Sequence, residues 1–428
     1  MKSSSKISSV ILWSVISAAF IGPGTVTTAV TAGSQFQTHL LWAVVFATLA
    51  CVVLQEASAR IVIASGLNFG QALESKFGNK NGFWIKWIVA GPVLLGCAAY
   101  EAGNILGAVS GSSILFDGDG KIYTIIITLT VGFILWHGGS RWISTIMTVL
   151  VGLMGVAFLL LAMEGDFIFS DLVKSSVIPS IPEGSEWLTL ALVGTTIVPY
   201  NIFIGSAISK GHTVPLMRMG LTISVLIGGL ITAWIMLAGT MVGNFSSFGE
   251  LATLFQNKMG AIGSLALGLG LFAAGFSSAI TSPYAASLIA STIFGAEKKS
   301  VVRFAWMFVL LTGFAFGISG IKPIPVILAV QALNGLILPL LTYFLILIVN
   351  DSKVVAIQHR HAAWYDLVLL AILGTTLVIG FNNVDKAITS AFFLSSGNHF
   401  KIIWVITSAI VLAAAVQLIR LRKIQRVN

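Results

Sequence analysis

The sequence predicts an all-α polytopic membrane protein of about twelve transmembrane helices, arranged as a 5+5 inverted repeat in which helices 1 and 6 are discontinuous. Three observations carry this expectation. Of the 428 residues, 57% are hydrophobic and only 9% charged, with a mean hydropathy of +0.97; so little charge cannot cover the surface of a water-soluble domain. Twelve apolar segments approach or exceed the roughly 20 residues that a bilayer requires. Finally, the first and sixth segments are interrupted by glycine and proline, at Phe20–Thr28 (FIGPGTVTT) and Ile197–Asn201 (IVPYN).

Taken in order, the segments run roughly over 9–36, 39–64, 83–111, 121–139, 142–163, 187–209, 217–244, 260–293, 301–319, 323–349, 363–381 and 400–420. The first imitates a cleavable signal peptide, with Lys2 and Lys6 ahead of Val10–Phe20 and small residues at Ser17–Ala19. It is read instead as the first half of helix 1, because cleavage would remove the half-helix that pairs with the second interrupted segment. The one long loop, about 164–186, joins segments 5 and 6 and is expected to carry no domain of its own. Segments 1–5 (about 1–163) can be laid over segments 6–10 (about 187–350), with Gly22-Pro23 against Val198-Pro199. Residues 1–350 then form a transport core, and 351–428 add two helices and a basic tail. That is the LeuT-like architecture, in which paired breaks mark a substrate site near mid-membrane.

Charge gives an orientation. Twelve crossings put both termini on one side, and that side holds eighteen of the lysines and arginines against six on the other. The positive-inside rule makes both termini cytoplasmic, in what is expected to be a bacterial inner (plasma) membrane. The net charge of +9 includes a short basic tail (Arg420, Arg422, Lys423, Arg426) beside the last helix. No basic face on a soluble module exists, so nucleic-acid binding is excluded. Cys51 and Cys97 lie inside apolar segments as small packing residues. The six histidines fall at segment ends or in loops, and no nucleophile–base pair, phosphate loop or His/Cys metal cluster is present. The chain reads as a non-enzyme with no cofactor and no evident protein partner.

The breaks gather the polar candidates. Gly22, Pro23 and Gly24 let the chain unwind, and helix 1b then carries Thr25, Thr27, Thr28, Thr31, Ser34 and Gln35. Its free N–H groups suit an anion, while the carbonyls ending helix 1a around Phe20 and Ile21 suit a cation. Thr195, Thr196, Tyr200 and Asn201 face the same region from helix 6. The competing reading is that such threonines bond back to their own helix. In segment 8, Ser277, Ser278 and Thr281 share a face and form a possible cation site, or serve only close helix packing. Three carboxylates lie within spans. Glu56 precedes Arg60 by one turn and reads as structural, and Asp366, near a helix start, reads as a cap. Glu101, with Asn104 one turn on, has no basic partner in sequence and is the candidate proton relay.

These motifs resemble the Nramp family of proton-coupled divalent-metal transporters over most of the first ten helices. Leu40–Gly66 resembles that family's helix 2, GTTIVPYNIFIGSAI (Gly194–Ile208) its helix 6, and AAGFSSAITSPYAAS (Ala273–Ser287) its helix 8. Gln331 stands where the family has a helix 10 glutamine. The family's Asp-Pro-Gly-Asn is here Gly22-Pro23-Gly24-Thr25, and its Met-Pro-His-Asn is Val198-Pro199-Tyr200-Asn201. The resemblance therefore implies metal-ligand positions at Gly22, Thr25 and Val198 that carry no anionic oxygen and no sulfur. Its helix 3 acidic pair corresponds to Glu101 and Asn104, so one carboxylate survives.

The expected function is secondary-active transport of a divalent metal cation, coupled to H+ or Na+, with the usual transition-metal ligands missing. A site without them binds the softer metals poorly and leaves a largely hydrated divalent ion such as magnesium, or a monovalent cation held by carbonyls and hydroxyls alone. The alternative is a small organic solute, an amino acid or carboxylate, seated on the helix 1b N-terminus; a non-transporting sensor is the third class.

Overall fold

The computed structural model describes residues 6–116, 118–137, 139–244, 246–356, 359–391 and 399–427. All regular structure among them is helical. The interrupted first segment becomes α1 (Lys6–Phe20) and α2 (Pro23–Phe36), bent by 64° at the break. Pro23 opens α2, where its missing N–H costs nothing, and Gly22 is extended with φ −106° and ψ −177°. The second segment is α3 (Leu41–Ser65), followed by a short helix, α4 (Phe69–Phe77). The following spans are α5 (Asn79–Leu115), α6 (Gly120–His137) and α7 (Ser140–Ala162).

The second half repeats the pattern. A short α8 (Phe169–Val177) precedes the broken sixth span, α9 (Glu186–Thr196) and α10 (Pro199–Ile208). Here too proline starts the second half-helix, after Ile197 and Val198 leave helical geometry. This break is the shallower: Glu186–Ile208 continues as one span, and only the first break exceeds 40° among the described residues. Then come α11 (Val214–Gly239), a short α12 (Phe248–Met259), α13 (Ala261–Phe294), α14 (Lys299–Ile318), α15 (Pro323–Val349), α16 (Ala363–Ala391) and α17 (Phe400–Val427).

Among the described residues, ten helices are long and apolar enough to cross a membrane, and the bent pair α1–α2 makes eleven. The 27-residue α15 occupies the remaining expected position, with Ile337–Val349 its apolar described part. The arrangement agrees with the expected LeuT-like order of spans. Three elements differ from the expectation. α4, α8 and α12 are too short to span, and α8 lies within the 164–186 loop expected to carry no domain. Caps account for two of them: Asn68 and Gln71 form a capping box on α4, and Ser247 caps α12 through the Glu250 N–H, whereas α8 has no side-chain cap.

The broken sixth span sits at the centre, with 94% of its apolar window buried, whereas the windows of α14 and α17 are only 22% buried and face the lipid. α1 packs against α11, α7, α13 and α10; α5 packs against α13, α14 and α15. Small residues permit the closest approaches: a Cβ on Gly111 of α5 would lie 2.3 Å from the Phe272 nitrogen of α13, and one on Gly275 would lie 2.3 Å from the Ala108 nitrogen. α16 and α17 form an outer pair, α16 resting on α15.

Candidate functional site

The two breaks meet, and polar side chains from three other helices or half-helices close on the end of α1. Its last turn leaves carbonyls without intrahelical partners. The Tyr200 hydroxyl of α10 donates to Ala19 O at 2.9 Å, and Asn201 Nδ2 reaches Ile16 O at 3.5 Å. From α13, Ser277 and Ser278 donate to Ala18 O at 3.3 and 3.4 Å. The Thr25 hydroxyl of α2 turns back across the break to Phe20 O. Since its proton is committed there, the 2.6 Å contact between the Thr25 and Thr195 hydroxyls has Thr195 as donor. The first break is thus tied directly to α9, α10 and α13.

Every member of this set is enclosed. Thr25 and Ser278 are 1% exposed, Tyr200 2%, Val198 3%, and Asn201 and Ser277 0%. The Tyr200 ring stands edge-on to Tyr100 of α5, with centroids 5.6 Å apart. On α10 and α2, two buried oxygens lack a hydrogen-bond partner among the described residues, Asn201 Oδ1 and Thr28 Oγ1. Both are acceptors in a region otherwise supplied with donors, so both can ligate a cation. The hydroxyls add to this: each donates to a carbonyl in the enclosed state, and rotation would present its oxygen, with the carbonyl, to a positive ion.

Gly22 and Gly24 are buried at the bend. A Cβ on Gly22 would fall 2.8 Å from Ser278 Oγ and 3.7 Å from Asn104 Oδ1, so these groups fill the space a side chain there would need. Through Asn104 the break connects to Glu101, whose Oε2 accepts from Asn104 Nδ2 at 3.4 Å and whose Oε1 has no partner. Glu101 is fully buried, and α14 covers it: a Cβ on Gly313 would lie 2.7 Å from Glu101 Cγ. A carboxyl this enclosed with one free oxygen can hold a proton or lend its charge to the site.

The expected residues thus divide. Gly22, Gly24, Thr25, Val198, Tyr200, Asn201, Ser277, Ser278, Asn104 and Glu101 come together. Thr281 does not join the α1 carbonyls; it bonds back to Ser277 O and Ser278 O at 3.0 and 3.3 Å. Thr27 and Thr31 likewise bond to Pro23 O and Thr27 O, and Thr196 to Leu192 O. The side chain of Gln331 lies outside the described residues. Tyr100 has no sequence signal that sets it apart from other helix aromatics. No group of three or more His, Cys, Asp or Glu side chains is gathered among the described residues.

Asp366 requires a correction. It does not simply cap α16: it is 7% exposed, ion-paired with Arg422 of α17 at 2.6 Å, and accepts from Asn350 Nδ2 at 3.0 Å. Glu56 pairs with Arg60 as expected, and the same oxygen also takes Arg218 of α11 at 2.8 Å.

Comparisons with known proteins bear on the family and the fold. The family model described as Nramp, natural resistance-associated macrophage protein-like, matches residues 14–384. The chain is 25% identical over 288 residues to the divalent metal cation transporter MntH of Yersinia pestis (strain Pestoides F), covering 63% of this chain and 69% of that one. Among solved structures, a mutant of the Eremococcus coleocola manganese transporter superposes with a TM-score of 0.76 at 19% identity, covering 98% of this chain and 96% of that one. MhsT in complex with L-phenylalanine superposes with a TM-score of 0.58 at 16% identity, covering 88% and 97%. At these identities both structures speak to the fold.

Proposed function

The chain belongs to the Nramp family, and from that premise we propose that it is a secondary-active transporter of a divalent metal cation, coupled to a proton. The observation that carries this is the cluster of α1 carbonyls (Ile16, Ala18, Ala19 and Phe20) held between the two breaks by hydroxyl and amide donors. Its curated relatives of known activity carry divalent metals, as the printed name of the Yersinia protein states. The organic-solute alternative is not favoured; the phenylalanine-bound neighbour supports the shared fold alone.

The donor set defines which metal the site suits. It offers carbonyl, hydroxyl and amide oxygens, with one carboxylate, Glu101, behind Asn104. No sulfur and no direct carboxylate stand at Gly22, Thr25 or Val198. Hard oxygens without a second charge suit an ion that keeps part of its water, such as magnesium, better than the softer transition metals. Glu101 acts as the proton relay and balances the ion's charge. The transport core comprises 1–350, with 351–428 as two additional helices, and both termini lie on the cytoplasmic side of a bacterial plasma membrane.

The test is uptake into proteoliposomes of magnesium and of manganese, each against protein-free vesicles and with an imposed pH gradient. The reading requires saturable flux of at least one, and Glu101→Gln must abolish its dependence on the gradient. No saturable flux of either metal in well-folded protein would sink it.

A further inference from the structure

A second polar cluster lies far from the breaks, where the ends of five spans meet. Arg60 is near the end of α3, Arg218 opens α11, Arg360 precedes α16, and Arg422 closes the apolar window of α17. These positions lie at span ends, the depth at which lipid phosphates lie. The carboxylates are too few for the cations. Arg60 and Arg218 share one oxygen of Glu56, and Arg422 takes Asp366. Asp351, at the end of α15, is occupied by Lys76. Among the described residues Arg360 makes one hydrogen bond, to a backbone carbonyl, Asn350 O, at 3.3 Å, while Asp366 and Asp351 act on its charge without bonding to it. Five cationic side chains thus meet three carboxylates.

Guanidinium nitrogens are left over. Arg60 Nε, Arg360 Nε and Arg422 Nη2 are buried atoms without a hydrogen-bond partner, and the Arg60 side chain is 4% exposed. Buried charged donors left unmatched are unfavourable, and planar guanidinium forks match phosphate oxygens best. We propose that this arginine cluster binds a phosphate group, presented by an anionic lipid headgroup or as the free anion. Arg360 is its principal contact, because it has the least satisfaction within the protein, and Arg218, half exposed at 51%, faces the entrance.

The buried histidine beside the cluster records the same positive field. His361 is 5% exposed and stands 3.1 Å from Asp366 Oδ1, yet burial and then Arg60, Arg422, Arg360 and Arg218 push its pKa down to about 3. It is neutral at physiological pH and leaves the anion site to the arginines. The cluster also links the outer pair to α3: Arg60 Nη1 donates to His359 O at 2.6 Å and the Tyr365 hydroxyl to Val53 O at 2.8 Å. Filling it would therefore stabilise the docking of α16 and α17.

The test is thermal unfolding of the full chain in neutral phosphatidylcholine nanodiscs, with phosphatidate added to the bilayer or inorganic phosphate added to the buffer, and chloride matched for ionic strength. A saturable rise in Tm is expected, and Arg360→Gln should weaken the apparent affinity about tenfold. Arg360→Lys should restore part of it, and exposed Lys353→Gln should leave it unchanged. Stabilisation by phosphate alone identifies the free anion; stabilisation only by phosphatidate identifies the headgroup. A rise equal to that in chloride, or one unchanged by Arg360→Gln, overturns the proposal. If Arg360→Gln does not fold, Arg218→Gln serves the same comparison.

Discussion

Gly107→Ala should separate folding from function at the first break. Gly107 lies on α5 directly against Pro23, the residue that opens α2. A Cβ there would meet Pro23 Cγ at 2.1 Å and Cβ at 2.4 Å, whereas ordinary contact begins near 3.4 Å. The proline ring cannot rotate away, so the start of α2 must retreat from α5 by about 1.3 Å. Overpacking of this kind costs about 1–3 kcal/mol, and the gain in helix propensity on replacing glycine returns about 0.5–1 kcal/mol. A net loss of up to about 2.5 kcal/mol, set against an unfolding entropy of about 0.9 kcal/mol/K for a chain of 428 residues, should lower Tm by up to about 3 °C while leaving the protein folded. Transport should fall further than stability, because the displaced turn carries Thr25 and its bonds to Phe20 O and Thr195. Gly96→Ala, in the same helix, is the control: among the described residues its Cβ would meet only Ile337 Cδ1, at 3.5 Å, and it should be neutral or slightly stabilising. The assay is fluorescence-detected melting beside proteoliposome flux. A Gly107→Ala protein with wild-type Tm and wild-type flux would refute the steric argument.

Three further outcomes follow from other contacts. Tyr200→Phe removes the donor to Ala19 O and leaves a buried carbonyl unmatched, so Tm should drop by an amount equivalent to about 1–3 kcal/mol; an unchanged melt would mean that water replaces the hydroxyl. Glu56→Gln strips two arginines of their shared carboxylate in a site where Glu56 is 9% exposed, and should cost about 3–5 kcal/mol, read by chemical or thermal unfolding. His361 has its folded-state pKa depressed to about 3, so between its unfolded value and that point the unfolded chain binds the extra proton. Stability should therefore decline as pH falls from about 6.5 towards 3, by at most about 1.4 kcal/mol per pH unit from this residue. His361→Gln should flatten that part of the profile, and an identical profile in the variant would remove the linkage.

Local chemistry made the spans and the breaks legible. Pro23 and Pro199 each delete a donor and fix φ, and Gly22 allows close packing, so the interruption can be read without tertiary information. The short helices were legible only in their caps: Asn68 with Gln71 and Ser247 with Glu250 are sequence signals that a search for membrane spans passes over. What joins distant segments was not legible. Nothing in the order of residues pairs Thr25 with Thr195, Tyr100 with Tyr200 or Gly107 with Pro23; helix packing brings them together. Asp366 reads as a cap because its partners, Arg422 and Asn350, lie on neighbouring helices. Thr281 and Thr27 show the opposite case, where the local preference for the i−4 carbonyl prevails.

The hydroxyls that bridge the end of α1 have one more consequence. A carrier completes its cycle only by travelling back without cargo, and an unmatched charged site makes that return slow. Here the vacated carbonyls already have donors waiting in Tyr200, Ser277, Ser278 and Thr25. Under the proposed transport reading these carbonyls stay matched without cargo, although Asn201 Oδ1 beside them does not, so the carbonyls themselves need no ion for the return leg. Under the proposed proton-coupled reading, coupling would fall to one side chain, Glu101, which is reached from the break through Asn104, rather than to the pocket itself.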